Sequence, residues 1–333
     1  MLKKIIAGVL LLSSGFIIAQ ETEFKQKERK RIKGQFAAAR VLNFEYNQSF
    51  SRDFESKLFD KDFQEGEIKN QKTFNAAANI PIIKTKRWTL TGSGTYKFNE
   101  FEFSELENVS SINNYEQNKI SDFHNFSAAL SSTYFTMFLK KIPVIYNASV
   151  IIDGNEEGFE RVKGMLGFSL IMKKTERTMI TLGAIVIIDP TAQIPFAPVF
   201  SLTHQFKNSP WELDFILPQR VLLRRFIGEN SRFSIGSTFG GNGFYVNMDA
   251  PGFPEVSEYS QLEINFGIIF EHRLSKNLIG TVRGGLTNFI SNRMTEKGEP
   301  NKDYFYENKQ NATGYFNVGV SFDPFLKKTP EQK

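Results

Sequence analysis

The stretch QLEINFGIIFEHRLSKNLIGTVRGGL, residues 261–286, sets Leu262, Ile264, Phe266, Ile268 and Phe270 against Gln261, Glu263, Asn265, Gly267 and Glu271 on alternate positions. Period two belongs to a β-strand with one apolar and one polar face. The pattern halts at the four residues LSKN and resumes, as a hairpin would. It recurs in WTLTGSGTYKF, where Trp88, Leu90, Tyr96 and Phe98 oppose Thr89, Thr91, Ser93, Thr95 and Lys97. VIYNASVII, RVKGMLGFSLIM and GYFNVGVSF repeat it through Val144 to Ile152, Val162 to Met172, and Phe316 to Phe322. Many long strands with one greasy side require a partner surface for that side.

The connections supply the second pattern, because short and long ones alternate. The short ones fall at 84–87, 139–143, 173–177, 207–210, 228–231 and 274–277, and most carry Lys, Arg or a turn-forming residue. Longer links are expected at 51–70, 100–120, 153–160, 189–197, 248–258 and 292–311, and several are acidic. One link, LPQ at 217–219, is short where a long one belongs. Short turns on one end and long loops on the other describe an outer-membrane barrel. The expected fold is all-β: a transmembrane antiparallel up-and-down β-barrel of about 14 strands, or 12 if the hairpin around Pro218 belongs to a loop. A soluble sandwich also alternates, but its strands average about 5–6 residues, whereas these often run beyond about nine, near the roughly 9–11 that cross a bilayer.

Composition agrees with interleaved faces. Phenylalanine occurs 34 times, yet mean hydropathy is −0.30, so the apolar residues are spread among polar ones and not massed in helices. The N-terminal MLKKIIAGVLLLSSGFIIAQ has Lys3 and Lys4, an apolar run from Ile5 to Leu12, and small residues before Ala19, which is the anatomy of a cleavable secretory signal. The expected organisation is a signal over 1–19, a basic periplasmic arm over 20–34 containing KQKERKRIKG, a barrel over 35–325 and a periplasmic tail over 326–333. With no cysteine, disulfides, thiolate zinc sites and lipid acylation are excluded. The charge of +5 is concentrated in the arm, so no nucleic-acid surface is implied.

The C-terminal YFNVGVSFDPFL resembles the aromatic-terminated last strand by which outer-membrane barrels are recognised by the barrel assembly machinery, although KKTPEQK runs past it. With the signal ending in AQ, the meander, and the strand–Pro–strand feature WELDFILPQRVLLRRF, the chain resembles uncharacterised outer-membrane β-barrel families of Bacteroidota-type bacteria. That resemblance implies a fold and the outer membrane of a Gram-negative cell, and it carries no catalytic residues.

In such a barrel the apolar face meets outer-membrane lipid and the polar face lines the lumen, since a basic side chain in lipid costs about 2–4 kcal/mol at mid-membrane. Lumen candidates are Lys97, Arg161, Lys163, Glu212, Asp214, Glu263, Glu271 and Arg283, with Glu263 and Arg283 placed to pair. Trp88, Trp211 and Phe322 are candidates for an interfacial aromatic belt. These residues either face water in a pore for a small solute or bridge one another in a plugged barrel. The function read from them is a passive or ligand-selective channel with no chemical step. The alternative is a structural or adhesive barrel whose outer loops bind a partner. A third reading, an outer-membrane hydrolase, needs a histidine base, and of His124, His204 and His272 only His124, beside Asp122, lies near the outer end. No cofactor or metal motif occurs, and STFGGNGFY reads as a bulge or bend, lacking the lysine and helix of a phosphate loop.

Overall fold

The computed structural model describes residues 36, 40–108, 120–139, 141–192, 195–228, 230–248 and 250–324. The expected signal, arm and tail lie outside them. The described segments are β1 (Leu42–Ser49), β2 (Arg52–Leu58), β3 (Lys61–Lys84), β4 (Trp88–Asn108), β5 (Ile120–Phe138), β6 (Ile142–Asn155), β7 (Gly158–Lys174) and β8 (Thr178–Ile188). They continue with β9 (Phe196–Gln205), β10 (Trp211–Leu217), β11 (Arg220–Ile227), β12 (Ser231–Asn247), β13 (Val256–Arg273), β14 (Leu278–Glu296), β15 (Tyr306–Gln310) and β16 (Thr313–Phe322).

All neighbours pair antiparallel, and the sheet closes on itself. β1 and β2 are two halves of one stave, since both pair with β3, while β1 also pairs with β16 and β2 with β15. β15 and β16 are likewise two halves of the last stave, both lying along β14. Sixteen segments therefore make a closed barrel of fourteen staves, and the hairpin through Pro218 is part of the wall. Closure leaves no unpaired edge, which is the condition for a sheet to sit in lipid. The six short connections fall where the pattern places them, and Leu42 and Phe322 lie at the same end. By the convention of outer-membrane barrels that end is periplasmic.

The pleat separates two environments. Phe126, Leu130, Tyr146, Val150, Val162, Leu166, Leu182, Val186, Phe266, Ile268, Phe270, Val282 and Val318 are exposed on the outside, while Ser149, Lys163, Ser169, Thr181, Ser234, Thr281 and Asn317 are buried inside. Leu262 is an exception to the alternation expected of its strand. It is buried where β13 and β14 slip register between Leu262 and Glu263.

Among the described residues, three of the six long outer links are largely strand. β3 runs for 24 residues and β4 for 21, absorbing much of 61–70 and 100–108 into strand, and β6 and β7 are separated by only residues 156–157. The reason is legible in an inversion of the pattern. In β2, Arg52, Phe54, Ser56 and Leu58 are buried while Asp53, Glu55 and Lys57 are exposed. In β4, Phe101 is buried while Lys72 and Lys69 of β3 pair with Glu100 and Glu102 across the outer surface. Above the bilayer the outside is water, so the outer face becomes charged and the apolar residues turn inward.

Candidate lumen site

The inner surface is organised in three tiers. The tier nearest the periplasmic end consists of guanidinium–carboxylate contacts. On β10, Asp214 accepts from Arg220 Nε at 2.6 Å and lies 2.6 Å from Arg224 Nη2, both on β11. Glu271 on β13 accepts from Arg232 Nε at 2.6 Å and from Arg40, whose Nη1 also donates to Thr281 Oγ1 at 3.1 Å and Ser321 Oγ at 2.8 Å. Glu212 is buried in ladder register with Arg224. Phe36 lies buried against Phe226, with Arg232 over its ring at 5.0 Å, so residues ahead of β1 enter the lumen. Asp214 and Glu271 retain 4% and 6% side-chain exposure. Carboxylates that dry are compensated only by direct contact with cations.

The outer tier is built around the outer part of the β12–β13 hairpin, where β12 runs on beyond its pairing with β11 while β13 stays paired with β14. Asn242 on β12 donates to Asn99 on β4 at 2.6 Å, and Phe244 stacks on Phe123 of β5 with centroids 4.2 Å apart, although β12 is not their sheet neighbour. Phe244 and Tyr259 join Phe54, Ile68 and Phe101 in one buried apolar cluster. The opposite face of the same hairpin meets the other wall. The Tyr245 hydroxyl donates to Asp153 at 2.9 Å, and Glu258 pairs with Arg161 and Lys163 of β7. Lys163 also lies 2.7 Å from Asp153, and Arg161 3.4 Å from Asp189. The outer part of β12–β13 therefore closes over the lumen against β4–β7, one face aromatic and the other polar, without leaving the sheet beside β14. GGNG at 240–243 supplies the slender backbone where β12 runs on past β11, and a Cβ on Gly240 would come within 2.9 Å of Glu263 Oε1.

Between these tiers lies a more open chamber. Arg283 on β14 faces inward, yet its side chain keeps 37% exposure, and its partner Glu45, at 3.3 Å, keeps 21%. Exposure on the inward face of a closed barrel means room for water. Glu45, Asn75 and Lys97 stand abreast on β1, β3 and β4. Across from them, Glu263 accepts from Gln261 Nε2 and Asn265 Nδ2, each at 2.9 Å. The expected Glu263–Arg283 pairing is not formed: Arg283 takes Glu45 from the stave beyond β16, and Glu263 is satisfied by amides. Alternation alone cannot say which of two inward neighbours a long side chain will choose.

The structure thus brings Arg161 and Lys163 together in the outer tier, Glu212, Asp214 and Glu271 in the inner one, and Lys97, Glu263 and Arg283 around the chamber. Sequence reasoning missed Arg40, Glu45, Asp153, Asp189, Arg220, Arg224, Arg232, Asn242 and Glu258. Of these, RVLLRRF carried a usable signal, since Arg220, Arg224 and Phe226 share one parity. On the outside, Trp88 Nε1 donates to Ser132 Oγ at 2.8 Å, Arg225 lies 5.9 Å from the Trp211 ring, and Phe322 is exposed at the last position of β16. All three sit near the short-turn end.

The histidines also lie on strands. His124 Nδ1 is 2.9 Å from the Tyr96 hydroxyl and its Nε2 is 3.8 Å from Asp122. His204 meets Thr178 Oγ1 and His272 meets Ser231 Oγ, each at 2.8 Å. Among the described residues no group of three His, Asp or Glu side chains could hold a metal ion.

No protein-family model and no curated protein matches the chain. Among solved structures it is similar to an outer-membrane channel from Pseudomonas putida F1, at 12% identity and a TM-score of 0.37, over 91% of this chain and 100% of that one. It is similar to a FadL homologue of Pseudomonas aeruginosa at 7% and 0.41, over 96% and 99%. It is also similar to outer membrane phospholipase A of Escherichia coli at 11% and 0.32, over 86% and 98%. With TM-scores this low, the assignment rests on the chain's own ladder. A closed fourteen-stave β-barrel with an apolar outer girdle and a polar interior is an outer-membrane protein.

Proposed function

We propose that the chain is a ligand-selective channel for a small polar solute, with no chemical step. One observation carries this reading: the inward-facing Arg283 and Glu45 stay solvent-exposed between two tiers that are held by side-chain contacts and by the inward-turned end of β12–β13. Side chains and a hairpin can move within an intact wall, so passage through this lumen is narrow and selective. The paired charges of the two dry tiers favour a second reading, a structural or adhesive barrel with a plugged lumen.

Conductance of the refolded chain in planar bilayers decides between them. The channel reading expects small discrete steps for the native chain and a several-fold rise for Phe244→Ala, which removes the stack on Phe123. No conductance above lipid background in either protein overturns it in favour of the plug. Glu271→Gln, which frees Arg40 at the opposite tier, gives an independent opening variant if Phe244→Ala fails to fold.

A further inference from the structure

Lys97 is set apart from the other inward cations. Arg40, Arg161, Lys163, Arg220, Arg224, Arg232 and Arg283 each lie within 4.0 Å of a carboxylate. Arg52 lacks one, but it donates to Gln310 at 2.6 Å and Gln71 at 2.5 Å and lies 4.5 Å from the Phe289 ring centroid. Lys97 has one contact of its Nζ among the described residues, a 3.3 Å hydrogen bond to Asn242 Oδ1. An ammonium has three protons to donate, and a single long bond to a neutral amide uses one of them poorly. An ionisable group held at membrane depth without a carboxylate in contact is costly to keep and marks a solute path.

What surrounds Lys97 describes its missing partner. Asn75 stands beside it on β3 and Asn99 two positions on along β4, and Asn75 Oδ1 and Asn99 Nδ2 each lack a hydrogen-bond partner. Asn99 is fully buried. Opposite stand Glu263, whose oxygens accept from amides, and Asn265. Glu263 is near enough to act electrostatically on Lys97, although no bridge of 4.0 Å or less joins them among the described residues. One end of the site therefore offers a cation with no carboxylate within 4.0 Å among the described residues. The other offers amides and a carboxylate, which suit hydroxyl groups, since both accept O–H donors and the amides also donate.

We infer that the chamber is a binding site for a small polyhydroxylated carboxylate of the sugar-acid class, with its carboxylate on Lys97 and its hydroxyls on Asn75, Asn99, Asn265 and Glu263. The inference deepens the channel reading and rests on it for the route by which solute arrives. A carboxylate on Lys97 also displaces Asn242, the residue that ties the in-folded hairpin to β4 through Asn99, so occupancy loosens the outer tier.

The test is calorimetric titration of the refolded full chain with D-gluconate and D-glucuronate, with D-glucose as the uncharged control. The expected result is binding of at least one acid and at least tenfold weaker binding of glucose. Lys97→Met then loses that acid at least tenfold, and Lys97→Arg keeps it. Heat-modifiable gel migration confirms that each variant is folded, and Lys97→Arg reports on the site if Lys97→Met does not fold. Binding of neither acid, or equal binding by the native chain and folded Lys97→Met, overturns the proposal. Binding without conductance removes the channel reading alone, and conductance without Lys97-dependent binding removes this inference alone.

Discussion

The inner tier and the chamber above it draw on the same residue types from adjacent positions of the same strands, and they do opposite things with them. Glu271 and Arg283 both point inward from neighbouring staves, yet Glu271 is 6% exposed and held by two guanidiniums while Arg283 keeps 37% exposure beside one carboxylate. The difference comes from what fills the lumen. In the inner tier Phe36, Arg40, Arg224 and Arg232 crowd the space and exclude water, so every charge needs a direct partner. Around Arg283 and Glu45 the described side chains leave exposed surface, and water does part of the work. Polarity of the inward face is a property of the strand pattern, whereas openness depends on which side chains reach across.

The sharpest way to break the comparison is to remove a carboxylate from the dry tier. Asp214→Asn leaves Arg220 and Arg224 without their shared counter-charge, and we expect a loss of about 3–5 kcal/mol in denaturant unfolding followed by gel migration. A loss below about 1 kcal/mol would mean that the inner tier is as wet as the chamber.

Next in size is a contrast between inside and outside at adjacent residues. Val282 is exposed to lipid and Arg283 to the chamber, so Val282→Arg is expected to cost about 2–4 kcal/mol if it lies at mid-membrane. Arg283→Met, which removes one charge from a half-wet pair, is expected to cost about 1 kcal/mol or less by the same measurement. The smallest effect expected is that of Glu45→Gln, again within about 1 kcal/mol and further reduced by salt, because its partner is screened by chamber water. A larger loss than that of Asp214→Asn would reverse the order of the two tiers.

Much of this was legible from alternation. Phe266, Ile268 and Phe270 on lipid, the six short turns and the fourteen staves follow from period two and from the order of connections. The segments around Phe54 and Phe101 were misread as loops, because acidic residues between phenylalanines resemble solvent-exposed connections. They are strands whose pattern inverts above the bilayer, with Asp53 and Glu55 in water and Phe54 inside. The in-folded hairpin left one trace in the sequence, the adjacent aromatics Phe244 and Tyr245. Both are buried, and a strand with one face in lipid and one in the lumen would not bury two neighbours. The Glu45 partner of Arg283 and the Arg40 partner of Glu271 left none, since they come from the first stave and from a residue just ahead of it, which meet β14 and β13 only when the barrel closes.

The central claim is an accessible chamber beside a dry tier, and the absence of cysteine makes it directly measurable, because any single introduced thiol is the only one present. Arg283→Cys and Ser234→Cys, the latter buried on β12, are exposed in turn to a small neutral thiol reagent in reconstituted membranes. Labelling of Arg283→Cys at least roughly ten times faster than Ser234→Cys is the predicted result, since thiol modification follows access. Equal rates, or slower labelling of Arg283→Cys, would contradict the account.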